Sequence, residues 1–545
     1  MRFNLVTDQW IPVVWRDGRT NAPRVSLKEA FDKAHLIREV RGQCPLDAPA
    51  VYRFLFAVLH WCKPEVNVEE REQVLRTGGI PASWLVKLDE HMSRFELFGE
   101  KDGFYQDYGA WKELTDRASD PLTADFGNAA SELYAELPTG ETIAHFRHTR
   151  DRREGLCPAC CALGLLRFSA FAFHVTHPPY QRGRPSGING GAPVYSIPAG
   201  NNLLETLVLN WPLDDVPGDT PGWMASSPPL REEIGPMAGL TWRPRRVWLD
   251  RPERIESAEA CAICGDSTYP LVCRLACLPG WIRPFGKGPW DKDPHLMIET
   301  VKTPNKGKRD KRIAITMPKV SASQESHFGV WRKVTGAALD CHKGANLRRV
   351  ADDSGGKMME AQCVGLALND KGSACHDARA FTVGTLRDSL SSSRLRQALE
   401  MVSESQSRLR GIIIRTLPRI ATGRPEVDSA LARRTPGVER QIEAAYARLA
   451  RAAEKATDDE WGCAVQTFAA NLRRILHEKA REVLKSLAKG SALHIPDAES
   501  RLWREFDRVA FTAPTERQEG SDSAHLTEAG TPKRRKKGRV KREDE

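Results

Sequence analysis

The chain has 545 residues, 41% of them hydrophobic, and carries a formal net charge of +10. A chain of this length exceeds what one simple core holds, so two or three domains are expected. No apolar run is long enough to span a bilayer, and no basic stretch followed by an apolar one opens the chain. The sequence therefore predicts neither a membrane span nor a signal peptide.

The 13 cysteines are odd in number and include two closely spaced pairs. This usage fits a reducing cytoplasm better than a disulfide scaffold, so a cytoplasmic location is expected. Half of the net charge lies in residues 533–545, which hold eight Lys or Arg and three acids. The rest of the chain is only mildly basic, which permits a phosphate-binding groove without demanding one.

The first 382 residues are predicted to form a large mixed α/β domain. Residues 3–6 and 11–14 have the pattern of short strands, and residues 48–61 that of an apolar helix. A basic segment separates two further expected strands, which end near Val301 and begin near Ile313. Its turn residues suggest the tip of a hairpin, and a solvated hairpin is a plainer interpretation than a nucleic-acid contact.

Two cysteine pairs, Cys157/Cys160 and Cys261/Cys264, are separated by 100 residues. Two residues between thiolates is the spacing of a zinc knuckle, and tetrahedral Zn²⁺ takes four such ligands. Gly265 follows the second pair and suits the tight turn that a knuckle makes. We therefore expect a structural zinc ion that joins two distant stretches of one domain. A catalytic ion would leave a position open and would use His or carboxylate ligands.

Other interpretations of these cysteines remain open. They could be buried free thiols, or they could form a disulfide if the protein were exported. The fourth ligand is also open, because three more cysteines lie nearby, namely Cys161, Cys273 and Cys277.

A glycine-rich stretch at residues 180–191 includes Gln181, Arg182 and Gly183. Glycine lets a main chain approach a ligand closely, and Arg, Asn and Gln can enter a DNA minor groove. A flexible surface loop is the plainer interpretation of the same residues. Residues 368–372 form another polar turn, which is expected at the tip of a hairpin and says little alone.

From about residue 383 a helical periodicity replaces the strand pattern. Apolar stripes predict four amphipathic helices, which together are typical of an up-and-down four-helix bundle over residues 383–511. Residues 512–545 are polar and then basic, with no apolar face, so a disordered tail is expected. Such a tail could tether nucleic acid or only aid solubility. The predicted fold class is thus α+β.

No familiar catalytic signature is present, so an enzyme is not expected. The alternative hypothesis is a zinc-stabilised nuclease or hydrolase that acts on nucleic acid through His145, His148 or His376. Loop histidines beside arginine are more often ordinary surface residues. Cys375 and His376 are adjacent, so their side chains diverge on most backbones.

Several short motifs follow one another along the chain. They are residues 3–13, Phe104-Tyr105-Gln106, Leu137 to Gly140, the two cysteine pairs, Ser186 to Val194, and Trp290 with Asp293 to His295. In this order they resemble one family, the large (CasA-type) subunit of the type I-E CRISPR surveillance complex, Cascade. The resemblance covers residues 1–511.

This resemblance implies a subunit without catalytic activity that caps the foot of a ribonucleoprotein near the 5′ handle of its guide RNA. It further implies recognition of the protospacer-adjacent motif in double-stranded DNA, strand separation with R-loop formation, and recruitment of a helicase-nuclease for antiviral defence. The other partners would be the backbone, small and handle-binding subunits of Cascade. In such systems the guide reads the target by base pairing, while protein reads a short flanking motif. A plain structural adaptor whose loops touch no DNA is a third possibility.

The resemblance also implies roles for individual residues. Phe146 matches the aromatic position that engages the foot of the guide complex, and so is a guide RNA-binding candidate. Four cysteines match the structural zinc ligands, namely Cys157, Cys160, Cys261 and Cys264.

Gln181, Arg182 and Gly183 match the glycine loop that the family inserts at the motif. Only Gly183 of the family's glycine run is present here. The side chains of Gln181 or Arg182 are therefore expected to take part in reading the DNA.

The turn after residue 368 falls where the family places its strand-separating wedge. A carboxylate against DNA is electrostatically poor, so Asn369 or Lys371 is expected to act there rather than Asp370. The family also has a basic finger before Trp290, for which Arg283 and Lys287 are the DNA-binding candidates.

Overall fold

The computed structural model describes residues 1–116, 128–134, 155–171, 193–211, 216–251, 260–282, 292–301, 311–317, 331–332, 334–336, 359–368, 375–385, 389–416, 435–453, 456–487 and 500–504. Helices and strands alternate along this part of the chain, which confirms the predicted mixture of helix and sheet. None of the helices described is both long enough and apolar enough to cross a membrane.

The strands are short and are spread over the first 385 residues. They are β1 (Ile11–Trp15), β2 (Arg24–Val25), β3 (Ile37–Val40), β4 (Asn128–Ala129), β5 (Val194–Ala199), β6 (Arg245–Leu249), β7 (Arg274–Pro279), β8 (Ile298–Val301), β9 (Lys311–Ala314), β10 (Met359–Leu368) and β11 (Cys375–Thr385). They pair in the orders β2-β1-β3, β4-β7-β6, β11-β10-β5 and β8-β9, and every pairing is antiparallel. The strands predicted at residues 11–14 and on both sides of the basic segment are confirmed.

The helices are short in the first half of the chain and long near its end. They are α1 (Leu27–Asp32), α2 (Asp47–Cys62), α3 (Val68–Thr77), α4 (Val86–Glu90), α5 (Tyr108–Thr115), α6 (Pro158–Phe171), α7 (Leu203–Leu209), α8 (Pro236–Thr241), α9 (Ser389–Thr416), α10 (Thr435–Ala453) and α11 (Asp458–Leu487). Helix α2 confirms the apolar helix predicted at residues 48–61.

Residues 3–6, which were expected to form a strand, form a turn instead. The backbone N–H of Asn4 donates to Asp8 Oδ2 at 2.6 Å, and the backbone N–H of Val6 donates to Asn4 Oδ1 at 3.0 Å. Asn and Asp side chains compete in this way with the regular hydrogen bonds of a strand. Asn4 pairs with Glu96 through an isolated β-bridge, and its Nδ2 donates to Glu96 Oε2 at 3.4 Å. The apolar residues of this segment are buried, which explains why their pattern resembles a strand.

Helices α2 and α6 lie in contact at the centre of the N-terminal core. Every residue of α6 is buried, and α2 is buried along most of its length. A helix that is apolar on all sides is stable only inside a protein, so neighbours must cover both helices.

One buried arginine of α2 contacts two distant parts of the chain. Arg53 Nη1 donates to both carboxylate oxygens of Asp293, at 2.7 and 2.8 Å, and the two side chains are 2% and 0% exposed. The Arg53 guanidinium also lies over the ring of Tyr195, 4.3 Å from its centroid. A buried charge is tolerated when it is paired and hydrogen-bonded, and this pair meets that condition.

Asp293 and His295 are parts of the same buried network. The His295 amide nitrogen donates to Asp293 Oδ1 at 3.1 Å, and His295 Nε2 lies 3.1 Å from Asn210 Oδ1. Among the described residues this motif therefore serves the core: Asp293 neutralises Arg53, and His295 contacts the residue that follows α7.

The three long helices α9, α10 and α11 pack against one another. They share an apolar core that includes Leu395, Ile442 and Leu472 and that also receives Cys363 from β10. Residues 500–504 are helical, and Leu502 is buried in the same core. The predicted fourth helix is described only over those residues, so the four-helix bundle stays a prediction. Strand β11 extends past the expected domain boundary at residues 382 and 383.

Replacing Arg53 by Met should leave the Asp293 carboxylate buried without its partner. We expect the free energy of unfolding to fall by about 3–5 kcal/mol, which equilibrium urea denaturation followed by circular dichroism measures. The double variant Arg53→Met/Asp293→Leu should recover most of this loss, because neither charge remains. Arg38→Ala, at an exposed position, is the control and should change stability by less than about 0.5 kcal/mol. A double variant as unstable as Arg53→Met alone would contradict this account of the pair.

Candidate metal centre and neighbouring segments

The first cysteine pair lies at the beginning of α6. Leu156 forms a β-bridge with Val272, and both of its backbone hydrogen bonds measure 2.9 Å. Cys157 follows, and Pro158 opens the helix, where its missing N–H costs nothing and its fixed φ suits the first turn. Cys160 lies in that first turn, so both thiols point from the same end of a buried helix.

The second pair is held by a tight turn. The Gly265 amide nitrogen donates to the Cys261 carbonyl at 3.0 Å, and the Cys261 amide nitrogen donates to the Asp266 carbonyl at 2.8 Å. Gly265 has a φ of 75°, in the left-handed region that glycine adopts without strain. This confirms the turn that the sequence predicts after Cys264.

The four thiols of Cys157, Cys160, Cys261 and Cys264 come together in one cluster. Their sulfur atoms all lie within 4.8 Å of one another, and Cys157 Sγ is 3.6 Å from Cys264 Sγ. A tetrahedral ion with metal–sulfur bonds of about 2.3 Å needs sulfur atoms about 3.8 Å apart. Three of the cysteines are buried and Cys264 is partly buried. The cluster could therefore hold a metal ion, and its four thiols would leave no ligand position open.

Hydrogen bonds within the cluster favour deprotonation of the second pair. Hydrogen bonds from Cys157 and Cys160 lower the pKa of Cys261 to about 6. The same two thiols lower the pKa of Cys264, while the pKa values of Cys157 and Cys160 are raised. Because thiolates are the species that bind metal, this proton sharing suits a metal site.

Arg24, at the start of β2, extends to the cluster from the N-terminal sheet. Its Nη2 donates to Cys160 Sγ at 3.6 Å. Burial opposes the positive charge of Arg24, but the neighbouring Cys160, Cys264 and Cys157 sulfur atoms raise the pKa of the guanidinium. Four thiolates around a divalent ion carry a net negative charge, which this guanidinium would partly neutralise. Nothing in the sequence spacing indicates this role for Arg24.

The other nearby cysteines do not belong to the cluster. Cys161 Sγ donates to the Leu156 carbonyl at 3.7 Å, and Cys277 Sγ accepts from Arg245 Nη1 at 4.0 Å. Cys273 is exposed. Among the described residues, the structure therefore selects the two CxxC pairs and leaves out the three alternatives.

The predicted nucleic-acid contacts lie outside the described residues. These are Phe146, Gln181, Arg182, Gly183, Arg283, Lys287, Asn369 and Lys371. His145 and His148 also lie outside, and His376 is on β11. Most of these residues belong to three segments, residues 172–192, 283–291 and 369–374. The structure describes the helices and strands that flank these segments.

Residues near the ends of two of these segments lie in one small apolar cluster, together with a residue of the strand that leads to the third. The cluster contains Phe171, which precedes residues 172–192, and Tyr195, which follows them. Their rings pack edge to face with centroids 5.2 Å apart, and the Tyr195 hydroxyl donates to the Ala170 carbonyl at 3.1 Å. Leu296, after residues 283–291, and Val364, on the strand before residues 369–374, belong to the same cluster.

The strand pairing brings the same parts together. Tyr195 on β5 lies opposite Val364 on β10 and forms an isolated bridge with Leu296. Arg53 adds a polar contact, because it pairs with Asp293 and lies over Tyr195. Sequence analysis missed Arg53, Tyr195 and Val364; the signal for Arg53 is a single charge within an apolar helix.

The fold and the cysteine cluster define a mixed helix-and-sheet protein with a closed four-thiol site. The model of the CRISPR-associated protein Cse1 family matches residues 4–522, so the chain belongs to the Cse1 family. This confirms the resemblance to the CasA-type large subunit.

Individual relatives agree with this assignment. The CRISPR-associated protein CasA/Cse1 of Thermus thermophilus is 32% identical over 268 residues, which is 47% of this chain and 49% of that protein. The chain thus aligns with about half the length of this curated relative. The crystal structure of CasA from Thermus thermophilus has a TM-score of 0.67 at 21% identity and covers 93% of this chain and 99% of its own.

Two further solved structures have the same fold. Cse1 from Acidimicrobium ferrooxidans has a TM-score of 0.66 at 19% identity, over 93% of this chain and 98% of its own. A chain of a CRISPR RNA-guided surveillance complex has a TM-score of 0.62 at 16% identity, over 93% of this chain and 99% of its own.

Replacing Cys261 by Ser removes one of the four thiols of the cluster. We expect the purified chain to carry about one metal ion and the variant to lose most of it, because four ligands close the site. Metal content after desalting, measured by inductively coupled plasma mass spectrometry, checks this. Cys273→Ser is the matched control, since Cys273 is exposed and outside the cluster, and it should keep its metal. Equal metal content in the two variants would refute the assignment.

Proposed function

We propose that this chain is the large subunit of an RNA-guided CRISPR surveillance complex and reads a short motif in double-stranded DNA beside the target. The observation that carries the proposal is the apolar cluster that joins residues next to 172–192 and 283–291 to strand β10, which leads to residues 369–374. Membership of the Cse1 family and the likeness to a chain of a CRISPR RNA-guided surveillance complex support it.

In this proposal residues 172–192 enter the minor groove. Arg182 and Gln181 donate to the acceptors on base edges, and Gly183 allows close backbone approach. The rigid base of this segment supports the role. The contact between Phe171 and Tyr195 holds its two ends together, and α6 and β5 are buried on either side.

Residues 369–374 would act at the point where the strands separate. Leu368 and Cys375 are paired across β10 and β11, so the chain reverses between them. Asn369 and Lys371 lie in sequence between these two paired strands, and an amide or a cation there would contact a displaced base or a phosphate. Arg283 or Lys287 would supply a further phosphate contact.

The metal is proposed to be structural Zn²⁺ held by Cys157, Cys160, Cys261 and Cys264. Closed four-thiolate sites are typical of structural zinc. When bound, the ion would fix the start of α6 to the turn before β7, and it would take part in no chemical step. The chain itself would be non-catalytic.

The remaining partners follow from the same role. Phe146 would contact the 5′ handle of the guide RNA, and the backbone, small and handle-binding subunits would surround the chain. A helicase-nuclease recruited to the opened DNA would degrade it, which supplies the cleavage that this chain does not perform. Base pairing with the guide would then read the target sequence.

The test uses the guide-loaded complex assembled with this chain and a duplex library with a randomised flank. Arg182→Ala should relax the selected motif and cost about 1–3 kcal/mol of binding, because a base contact is lost. Lys371→Ala should weaken binding of the duplexes equally, whatever their flanking sequence, because a phosphate contact is lost. It should also reduce the slope of log K against log salt concentration by about one.

Arg38→Ala is the control for a general loss of positive charge. It should change neither the selected flanking motif nor the salt dependence of binding. Unaltered binding in both Arg182→Ala and Lys371→Ala would favour a structural adaptor. Cleavage of DNA by the isolated chain, abolished by His145→Ala or His148→Ala, would contradict the proposal in favour of a nuclease.

A further inference from the structure

A cleft of about 210 Å³ lies between residues 94–109, residues 223–226 and Arg243. Its lining residues belong neither to the cysteine cluster nor to the three segments described above. A single water molecule needs only about 10–15 Å³, so the cleft has room for a small ligand.

Arg243 lies in the wall of this cleft and is 8% exposed. Its Nη2 donates to the Gln106 carbonyl at 2.8 Å, and its Nη1 donates to the Ala225 carbonyl at 3.3 Å. The guanidinium lies 5.4 Å from the ring centroid of Trp281. It forms no ion pair with any carboxylate of the described residues, and its Nε has no acceptor among them.

Two other buried arginines are neutralised differently. Arg53 lies beside Asp293, and Arg167 Nη1 lies 3.0 Å from Asp47 Oδ1. Arg243 donates only to neutral carbonyl groups, and the nearby carboxylate of Asp107 acts on its charge without a hydrogen bond. Burial lowers the pKa of the Arg243 guanidinium, because desolvation disfavours the charged form. An anion in the cleft would supply the directly bound negative partner that Arg243 lacks among the described residues.

The other charges of the cleft are arranged to admit an anion. Asp107 accepts from Arg246 Nε at 2.8 Å, and the same guanidinium donates from Nη1 to Glu113 Oε2 at 3.0 Å. Arg94 and Lys101 line the cleft and are exposed, and their side chains make no hydrogen bond or ion pair with the part of the chain that the structure describes. The lining therefore holds three cations, Arg94, Lys101 and Arg243, and two acidic residues, Asp102 and Asp107.

The wall of the cleft also contains a strained residue. Tyr105 has a φ of 60° and is the one residue other than glycine with a positive φ in the described ranges. Its hydroxyl donates to the Thr241 carbonyl, and its ring lies 6.5 Å from that of Trp223. An aromatic residue in the left-handed region is costly and is found most often at functional sites.

We propose that this cleft binds a terminal phosphate group, with Arg243 in its wall and Arg94 and Lys101 at its opening. Arginine and lysine are the side chains that proteins use most for phosphate, and arginine can present two parallel N–H groups. A phosphate inside a nucleic-acid strand is linked to a sugar on both sides, and a small cleft has no room for both. The cleft therefore suits a phosphate at the end of a chain or a free phosphate ion. The ligand is therefore inorganic phosphate or a phosphate monoester.

The experiment follows the thermal midpoint of the purified full chain against inorganic phosphate and adenosine 5′-monophosphate, at constant ionic strength. Binding to the native state should raise the midpoint, and the rise should saturate. Arg94→Ala/Lys101→Ala should increase the concentration for half of the shift about tenfold or more, a change of about 1.4 kcal/mol. Arg243→Gln should abolish the shift.

The matched control is Arg76→Ala/Lys485→Ala, which removes two equally exposed cations outside the cleft and should leave the titration unchanged. Tighter binding of the nucleotide would identify a monoester site, and equal or tighter binding of phosphate would identify a free-phosphate site. An unsaturated rise, or the same titration in Arg94→Ala/Lys101→Ala, would overturn the proposal. The proposal would also be overturned if adenosine bound as tightly as adenosine 5′-monophosphate. The measurement uses the free chain, so its outcome is independent of motif reading.

Discussion

The buried charge of Arg53 is the constraint on which the rest of this architecture depends. Taking a guanidinium out of water is costly, and the cost is offset only if a carboxylate and further acceptors surround it. Here the carboxylate is Asp293, and the face of the guanidinium is covered by Tyr195. Asp293 follows residues 283–291 and Tyr195 follows residues 172–192. Neutralising one charge therefore brings the ends of two candidate DNA-contacting segments to the same helix, α2.

The cysteine cluster adds a second constraint at the other end of α6. A helix of 14 residues is about 21 Å long, so the cluster lies that far from Phe171, where residues 172–192 depart. A metal there would act on the segment through a rigid, wholly buried helix and not by direct contact. Arg24 extends the same constraint to the N-terminal sheet, because its Nη2 contacts Cys160.

Local patterns of the sequence predict the local parts of this fold. The spacing within each cysteine pair predicts metal ligands, and the apolar run at residues 48–61 predicts α2, because each pattern lies within a few residues; that the two pairs meet follows from four ligands being needed for one ion. The pairing of Arg53 with Asp293 spans 240 residues, and no short pattern contains it. The strand expected at residues 3–6 was wrong for a related reason: hydrophobic spacing alone does not register the side-chain hydrogen bonds of Asn4 and Asp8. The motif Asp293 to His295 indicates the family, but the sequence does not reveal that Asp293 neutralises a buried arginine.

In the proposed function, Arg53 holds the segments that would read DNA and plays no part in guide pairing. The measurement compares the affinity of the assembled, guide-loaded complex for a duplex with the selected motif, a duplex without it, and the single-stranded target. Arg53→Lys keeps a positive charge beside Asp293 but loses the paired hydrogen bonds and the planar contact with Tyr195. We predict that the preference for the motif falls about tenfold or more, while affinity for the single strand is unchanged. Full motif preference in Arg53→Lys, or an equal loss on the single strand, would contradict the account.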